Sequence, residues 1–415
     1  MSPARTPLLS SLLLAALLPA TPAALADAVA DWNEKAVSAV YAAGMSPDLQ
    51  SRNLAIVHIA VFEAVNSIEP RYTPYRARLP AEPGTLPEAA VAAAAHATLQ
   101  KLLPTQAKDL DAFLQAALAR MPDSPGKASG IRLGERAAAS ILAEREQDGS
   151  NAPITYRPFT LPGKYVPTLF PASSTWSAVR PFVLKSGDQF RPPAPYALTS
   201  PQWAADFNEV KRMGAKTGSA RTPEQNDIAR FWQLTGAATY NPVTRHVVAV
   251  RNLDLLDSAR LFALSAIATA DTAITIFDAK YAHNFWRPVT AIRNADIDGN
   301  DATAIDPNWE PMINTPMHPE YPCAHCTFQS AAAGVLQTLY GDVVPKFTLT
   351  STAAPGVTRS FERLSDYVTE VVNGRIYEGV HYRTSGEVGA ALGRKVAEEV
   401  VKTRLQPLQS SAAAR

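Results

Sequence analysis

The 415-residue chain has only two cysteines, Cys323 and Cys326. A zinc site built on them would need His325 or His318 as well, and structural zinc normally takes four protein ligands. A thioredoxin-like use of the C-x-x-C pair expects a βαβ setting, and no strand series is present to supply it. Charge of one sign is also lacking. Lys and Arg number 39, Asp and Glu 38, for a net charge of +1, so bulk charge gives no reason to expect nucleic acid or another polyanion as partner. Beyond the N-terminus no segment reads as a membrane span, because charges interrupt the alanine-rich stretches. A nucleotide-type glycine loop and an internal repeat are absent too. What remains is an all-α chain, 47% apolar, long enough for one large domain or two fused ones. The 34 prolines exceed ordinary usage and fall mostly between helical segments, which points to long ordered connections.

The N-terminus reads as a secretory signal over residues 1–26. Arg5 supplies the positive region, Leu8 to Leu18 the apolar one, and Ala24-Leu25-Ala26 a small-residue cleavage site before Asp27. The expected location is periplasmic or secreted. Residues 27–195 read as an N-terminal helical region, 196–405 as a C-terminal helical bundle and 406–415 as a disordered tail. Helices are expected over residues 28–43, 48–68, 87–103, 107–121 and 128–147. The middle of the second, LAIVHIAVFEAV, is apolar all round, as in a core helix, and His58 and Glu63 within it read as structural. Residues 156–195 hold eight prolines and little periodicity, so a long surface wrap is expected there.

Ser200-Pro201 and Thr222-Pro223-Glu224-Gln225 are helix starts with a capping residue and Pro at the first position. Residues 243–270 read as one long apolar helix, with 271–285 following after little break. The acidic stretch 296–315 lacks the glutamate and central glycine of an EF-hand loop and reads as solvated. A short extended or hairpin piece is expected within 341–358, then helices over 360–377 and 385–405.

Three segments carry the chemistry. Lys280 and Arg287 are seven apart, two turns of a helix, so on one helix they share a face that could clamp an oxyanion. Pro322-Cys323-Ala324-His325-Cys326 places a histidine at the start of the apparent helix TFQSAAAGVLQTLYG, where free N–H groups and the helix dipole favour an anion. Arg375 and His381 follow. Arginine offers a planar fork to an oxyanion, lysine a point charge.

Lys-x6-Arg-Pro, then Pro-x-x-His, then Arg-x5-His resembles the signature of the vanadium-dependent haloperoxidase and type 2 phosphatidic acid phosphatase superfamily, usually KxxxxxxRP, PSGH and SRxxxxxHxxxD. TDTAITIFDAKYAHNFWRPVTAIR and TPMHPEYP look like its haloperoxidase branch. The resemblance implies an all-α helical bundle binding vanadate, or phosphate in its place. It implies that His381 ligates the vanadium or, in a phosphatase, forms a phosphohistidine. Lys280, Arg287 and Arg375 would neutralise the oxyanion, with Cys323 and the Ala324 N–H at its edge. His325 would be the acid/base. His318 matches a pocket position. Hydrogen peroxide with bromide or iodide, or a phosphomonoester, would be the substrates. Neither nucleotide nor haem is implied, a non-catalytic oxyanion-binding protein is a further reading, and a homodimer is left open.

Four positions depart from the pattern. Cys323 stands for the usual serine, Ala324 for glycine, Gly374 for the serine before Arg375, and Ser385 for the aspartate that orients the histidine. Serine cannot hold an imidazolium as a carboxylate does, so a backbone carbonyl is one substitute expected for His381. Glu378 is expected either to pair with a site arginine or to lie at the surface, and His283 to be structural near the site. The cysteines are expected as a disulfide or as free thiols. A free thiol beside peroxide or hypohalite would be oxidised.

Overall fold

The computed structural model describes residues 27–167 and 169–408. The expected signal segment lies outside them, as does most of the expected tail. The helices are α1 (Ala28–Ala42), α2 (Pro47–Ile68), α3 (Pro87–Leu102), α4 (Ala107–Ala119), α5 (Pro125–Arg145), α6 (Pro201–Gly214), α7 (Pro223–Phe231), α8 (Asn241–Arg251), α9 (Leu255–His283), α10 (Pro288–Arg293), α11 (Ala324–Tyr340), α12 (Leu364–Tyr377) and α13 (Arg383–Thr403). The sheet among the described residues is a single antiparallel hairpin, β1 (Val343–Thr350) and β2 (Thr358–Arg363). The all-α expectation therefore holds, and the short hairpin expected within 341–358 is present and runs on to Arg363.

Local chemistry sets the helix starts. Ser200 Oγ accepts from the Trp203 N–H ahead of α6. Thr222 and Gln225 form a full capping box on α7. Asp254 accepts from the Asp257 N–H and begins α9. This last cap moves a boundary. The run expected as a helix over 243–270 breaks at Asn252, which is left-handed with φ 48°, and α9 then passes through 270–271 without interruption. The helix expected over 360–377 begins only at Leu364, because Thr358–Arg363 pairs with β1. Phe361 there meets Phe347 and Tyr367 at ring separations of 5.5 and 5.7 Å, and this apolar contact favours the strand. Gln406 to Leu408, expected in the tail, instead bond to the Arg71–Thr73 stretch.

Helix α9 is the axis of the fold. It is long and apolar enough to cross a membrane, yet almost all of it is buried within the protein. Helix α2 packs on it from the front half, and α11 and α13 pack on it from the back. Asp271, in mid-helix, accepts hydrogen bonds from the backbone N–H groups of Phe182, Val183 and Leu184 at 2.6, 2.8 and 2.9 Å. One buried side chain thus ties the Pro-rich wrap to the core helix. The 296–315 stretch is also better anchored than expected. Asp298 is buried and accepts from Trp203 Nε1 and Thr303 Oγ1.

Helices α11 and α13 touch backbone to backbone. A Cβ at Gly393 would lie 2.3 Å from the Thr327 carbonyl oxygen, and one at Gly389 2.7 Å from that of Cys323. The Cys323 N–H donates to the Ser385 carbonyl at 3.1 Å. These contacts fix the start of α11 against the start of α13, and so bring the His325 segment beside the His381 segment.

His58 is structural, as expected. It stacks on Phe262 and bonds to Asn33 Nδ2 at 2.9 Å, while Glu63 accepts from the Tyr75 N–H. Burial pushes His58 down to about 3. The unfolded chain therefore takes up a proton below its usual 6.5 that the folded chain refuses. Stability is full above pH 6.5 and falls as pH drops toward 3. Denaturant titrations at pH 6.5 and 5 should show His58→Phe losing about 2 kcal/mol less than the native chain over that interval. Equal losses would contradict a neutral, buried His58.

Candidate active site

Six segments meet at one buried point. Lys280 comes from the last turn of α9 and Arg287 from the cap of α10. His318 and Glu320 come from the connection before α11, Ala324 and His325 from its first turn, Arg375 from the last turn of α12, and His381 from the connection into α13. Lys280 and Arg287 do not share a helix face as their spacing predicted. The helix ends at His283, Asn284 is left-handed with φ 51°, and Arg287 is extended. The chain turns between them and both heads still enter the cluster, where Arg287 weakens the charged form of Lys280.

His381 is held at both ring nitrogens. Nδ1 lies 2.7 Å from Glu320 Oε1, and Nε2 lies 3.2 Å from Arg287 Nη1. An arginine can only donate and a carboxylate can only accept. These partners therefore assign the proton to Nδ1 and leave the Nε2 lone pair facing the cations. Glu320 also accepts from the Tyr382 N–H at 3.1 Å, which fixes the carboxylate. Glu320 thus supplies the carboxylate missing at Ser385, and no backbone carbonyl takes that place. The Ser385 hydroxyl lies close enough to favour the charged form of Glu320, without a well-formed hydrogen bond of its own.

Lys280, Arg287 and Arg375 are each 2% exposed or less, as are Glu320 and Glu378. Burial and then neighbouring Arg287 push Lys280 well below its ordinary range. Burial brings Arg287 down to about 10 and lifts Glu320 to about 7 and Glu378 to about 8. His381, His318 and His325 are all held well below the usual histidine range, by burial first and the cations second. They are neutral at neutral pH. Three buried cations facing two reluctant carboxylates are an anion site on electrostatic grounds, because a bound anion relieves the mutual repulsion that burial amplifies.

The donor set fits a tetrahedral oxyanion. Arg375 pairs with Glu378 and donates one N–H to the Trp232 carbonyl at 3.3 Å, while its buried Nε has no partner. Lys280 gives two of its three N–H groups to the Pro319 and Glu320 carbonyls at 2.9 Å each, which leaves one. The Ala324 N–H belongs to the first turn of α11, where a helix has no partner of its own to offer. Buried His325 Nε2 is also without a partner. Arg375, Ala324, His325, His318 and His381 line one cavity of about 240 Å³. Among the described residues, no cluster of three or more His, Cys, Asp or Glu side chains is arranged for a metal ion.

His318 is a pocket residue. Its ring meets Phe277 edge-on and its Nδ1 lies 3.0 Å from Arg287 Nη2. His283 is structural, bonding to the Pro192 carbonyl at 3.0 Å. Cys323 and Cys326 form a disulfide, and Cys323 Sγ accepts from the Cys326 N–H at 3.2 Å as the cap of α11. It therefore carries no thiol proton to offer an anion. Gly374 has a steric reason, since a Cβ there would lie 3.0 Å from Trp232 Cδ1. Of the residues sequence reasoning missed, Glu320 matters most. It was legible as the one acid in TPMHPEYP, between His318 and His325.

A family model described as the VCPO second helical-bundle domain matches residues 260–410, the part that carries Lys280, Arg287, His325, Arg375 and His381. The vanadium chloroperoxidase of Curvularia inaequalis is 26% identical over 200 residues, 39% of this chain and 32% of that protein. The match thus spans about a third of that relative's length. A structure described as the first bacterial vanadium-dependent iodoperoxidase superposes with a TM-score of 0.79 at 25% identity, covering 92% of this chain and 97% of that one. A bacterial vanadium-dependent chloroperoxidase without its cofactor shares the fold at TM-score 0.72 and 16% identity, covering 86% and 93%. Over nearly the whole chain the fold is that of the vanadium-dependent haloperoxidases, and the cation cluster falls inside the part that matches the VCPO second helical-bundle domain.

Proposed function

We propose that this protein oxidises bromide or iodide with hydrogen peroxide at a vanadate held by His381. The observation that carries the reading is the state of His381, with Nδ1–H on Glu320 and the Nε2 lone pair turned into three buried cations. Bound vanadate supplies a Lewis acid that polarises peroxide without changing its own oxidation state. The Arg375 Nε–H, the third Lys280 N–H and the Ala324 N–H would hold its oxygens, and Arg287 would add charge beside His381. His325, neutral and unpartnered at Nε2, would take and return a proton at the reacting oxygen. The closed cysteine pair supports the peroxidase reading, because it leaves no thiol at the site for hypohalite to consume. Likeness to an iodoperoxidase over 92% of the chain makes iodide the first halide to test. An exported, periplasmic or secreted setting is proposed on the N-terminal sequence alone.

A paired assay separates the chemistries that this cluster could serve. Purified protein should oxidise iodide or bromide only with both vanadate and peroxide, and His381→Ala should lower that rate by at least ~100-fold. Hydrolysis of p-nitrophenyl phosphate without any halide oxidation would contradict the proposal in favour of phosphoryl transfer. Vanadate binding with neither activity would leave an oxyanion-binding protein. Glu320→Gln keeps an acceptor for Nδ1–H but removes the negative charge. Calorimetric titration with orthovanadate should then show affinity weakened by roughly 10–100-fold. Unchanged affinity would remove Glu320 from the orienting role.

A further inference from the structure

Oxidation of a halide by peroxide consumes a proton. The halide gives two electrons, the O–O bond breaks, one oxygen leaves bonded to the halogen as hypohalous acid, and the other leaves as water after taking up H⁺. Resting on the reading above, we propose that Asp48 is the source of that proton and feeds it to His325 across the cavity. Asp48 lies in the first turn of α2, far in sequence from the three signature segments, yet it lines the same 240 Å³ cavity as His318, His325, Arg375 and His381. It is 3% exposed, and its Oδ1 is buried without a partner. Ser46 and Ser173, whose hydroxyls flank it, line the cavity too. The groups facing Asp48 are therefore two serines, the Tyr281 phenol of α9 and, across the cavity, the three histidines and Arg375.

Asp48 is the carboxylic acid among the residues that line this cavity. The cations that prepare the site for an anion also hold His318, His325 and His381 in their neutral forms. None has a spare proton at neutral pH. No cation packs against Asp48, and burial raises its carboxyl above the ordinary aspartate range. Burial disfavours the charged form of this carboxyl, so it keeps its proton to higher pH than an exposed aspartate, the same physics that makes buried glutamates general acids.

The test uses vanadate-free and vanadate-loaded protein with Asp48→Asn and Asp48→Glu. In vanadate-free native protein, infrared spectra should show a protonated-carboxyl band that titrates above the ordinary aspartate range and is missing from Asp48→Asn. In loaded protein, halide oxidation should decline as pH rises through that titration. Asp48→Asn should be at least ~10-fold slower, lack that limb of the profile, and recover rate with added formic acid. Asp48→Glu should keep the limb, and vanadate affinity should be unchanged in both. An absent band, or a native rate and profile in Asp48→Asn, overturns the inference alone. Native protein with no halide oxidation overturns the functional reading and this inference with it.

Discussion

The structure depends on the repulsion among three buried cations. Lys280, Arg287 and Arg375 are drawn to one point from α9, α10 and α12. Burial disfavours the charged form of each, and for Lys280 both of its neighbours do so as well. Such a cluster is costly in a core and persists only where the rest of the fold over-determines it. Backbone carbonyls of Pro319, Glu320, Val380 and His318 restrain the Lys280 and Arg287 heads. The close glycine contacts between α11 and α13 hold two further segments of the site in register. Burial first and these cations second keep the histidines neutral, which leaves His381 Nε2 unprotonated toward the cations and the proton supply to a carboxyl outside the cluster.

Departures from the family pattern are matched by local compensations. Ser385 leaves His381 without its usual aspartate, and Glu320 holds its Nδ1 from the connection before α11. Gly374 makes room for Trp232, whose carbonyl in turn holds Arg375. Cys323 gives up the hydroxyl donor and is closed to Cys326, so sulfur caps α11 without offering an oxidisable thiol.

Much of this was legible in the sequence. Helix starts with Ser-Pro and a capping box sat where local hydrogen bonds place them, and the three basic and histidine segments do converge. Errors came where tertiary contacts outweighed periodicity. An apolar run hid the break at Asn252, because Asp254 caps a helix regardless of the flanking hydrophobicity. Arg363 and its neighbours went to a strand because Phe361 packs on Phe347 and Tyr367. Lys280 and Arg287 were placed on one helix by spacing, whereas the chain turns at Asn284. Glu320 and Asp48 carried no spacing signal at all. Their roles follow from burial and from neighbours 61 residues away in the first case and across a cavity in the second.

The most direct test of the central claim is a crystal structure of the protein with orthovanadate. The account predicts an anion bonded to His381 Nε2, with Arg375 Nε, Lys280 and the Ala324 N–H on its oxygens and Glu320 still on Nδ1. An anion bound elsewhere, or a His381 ring that remains paired with Arg287 at saturating vanadate, would contradict it.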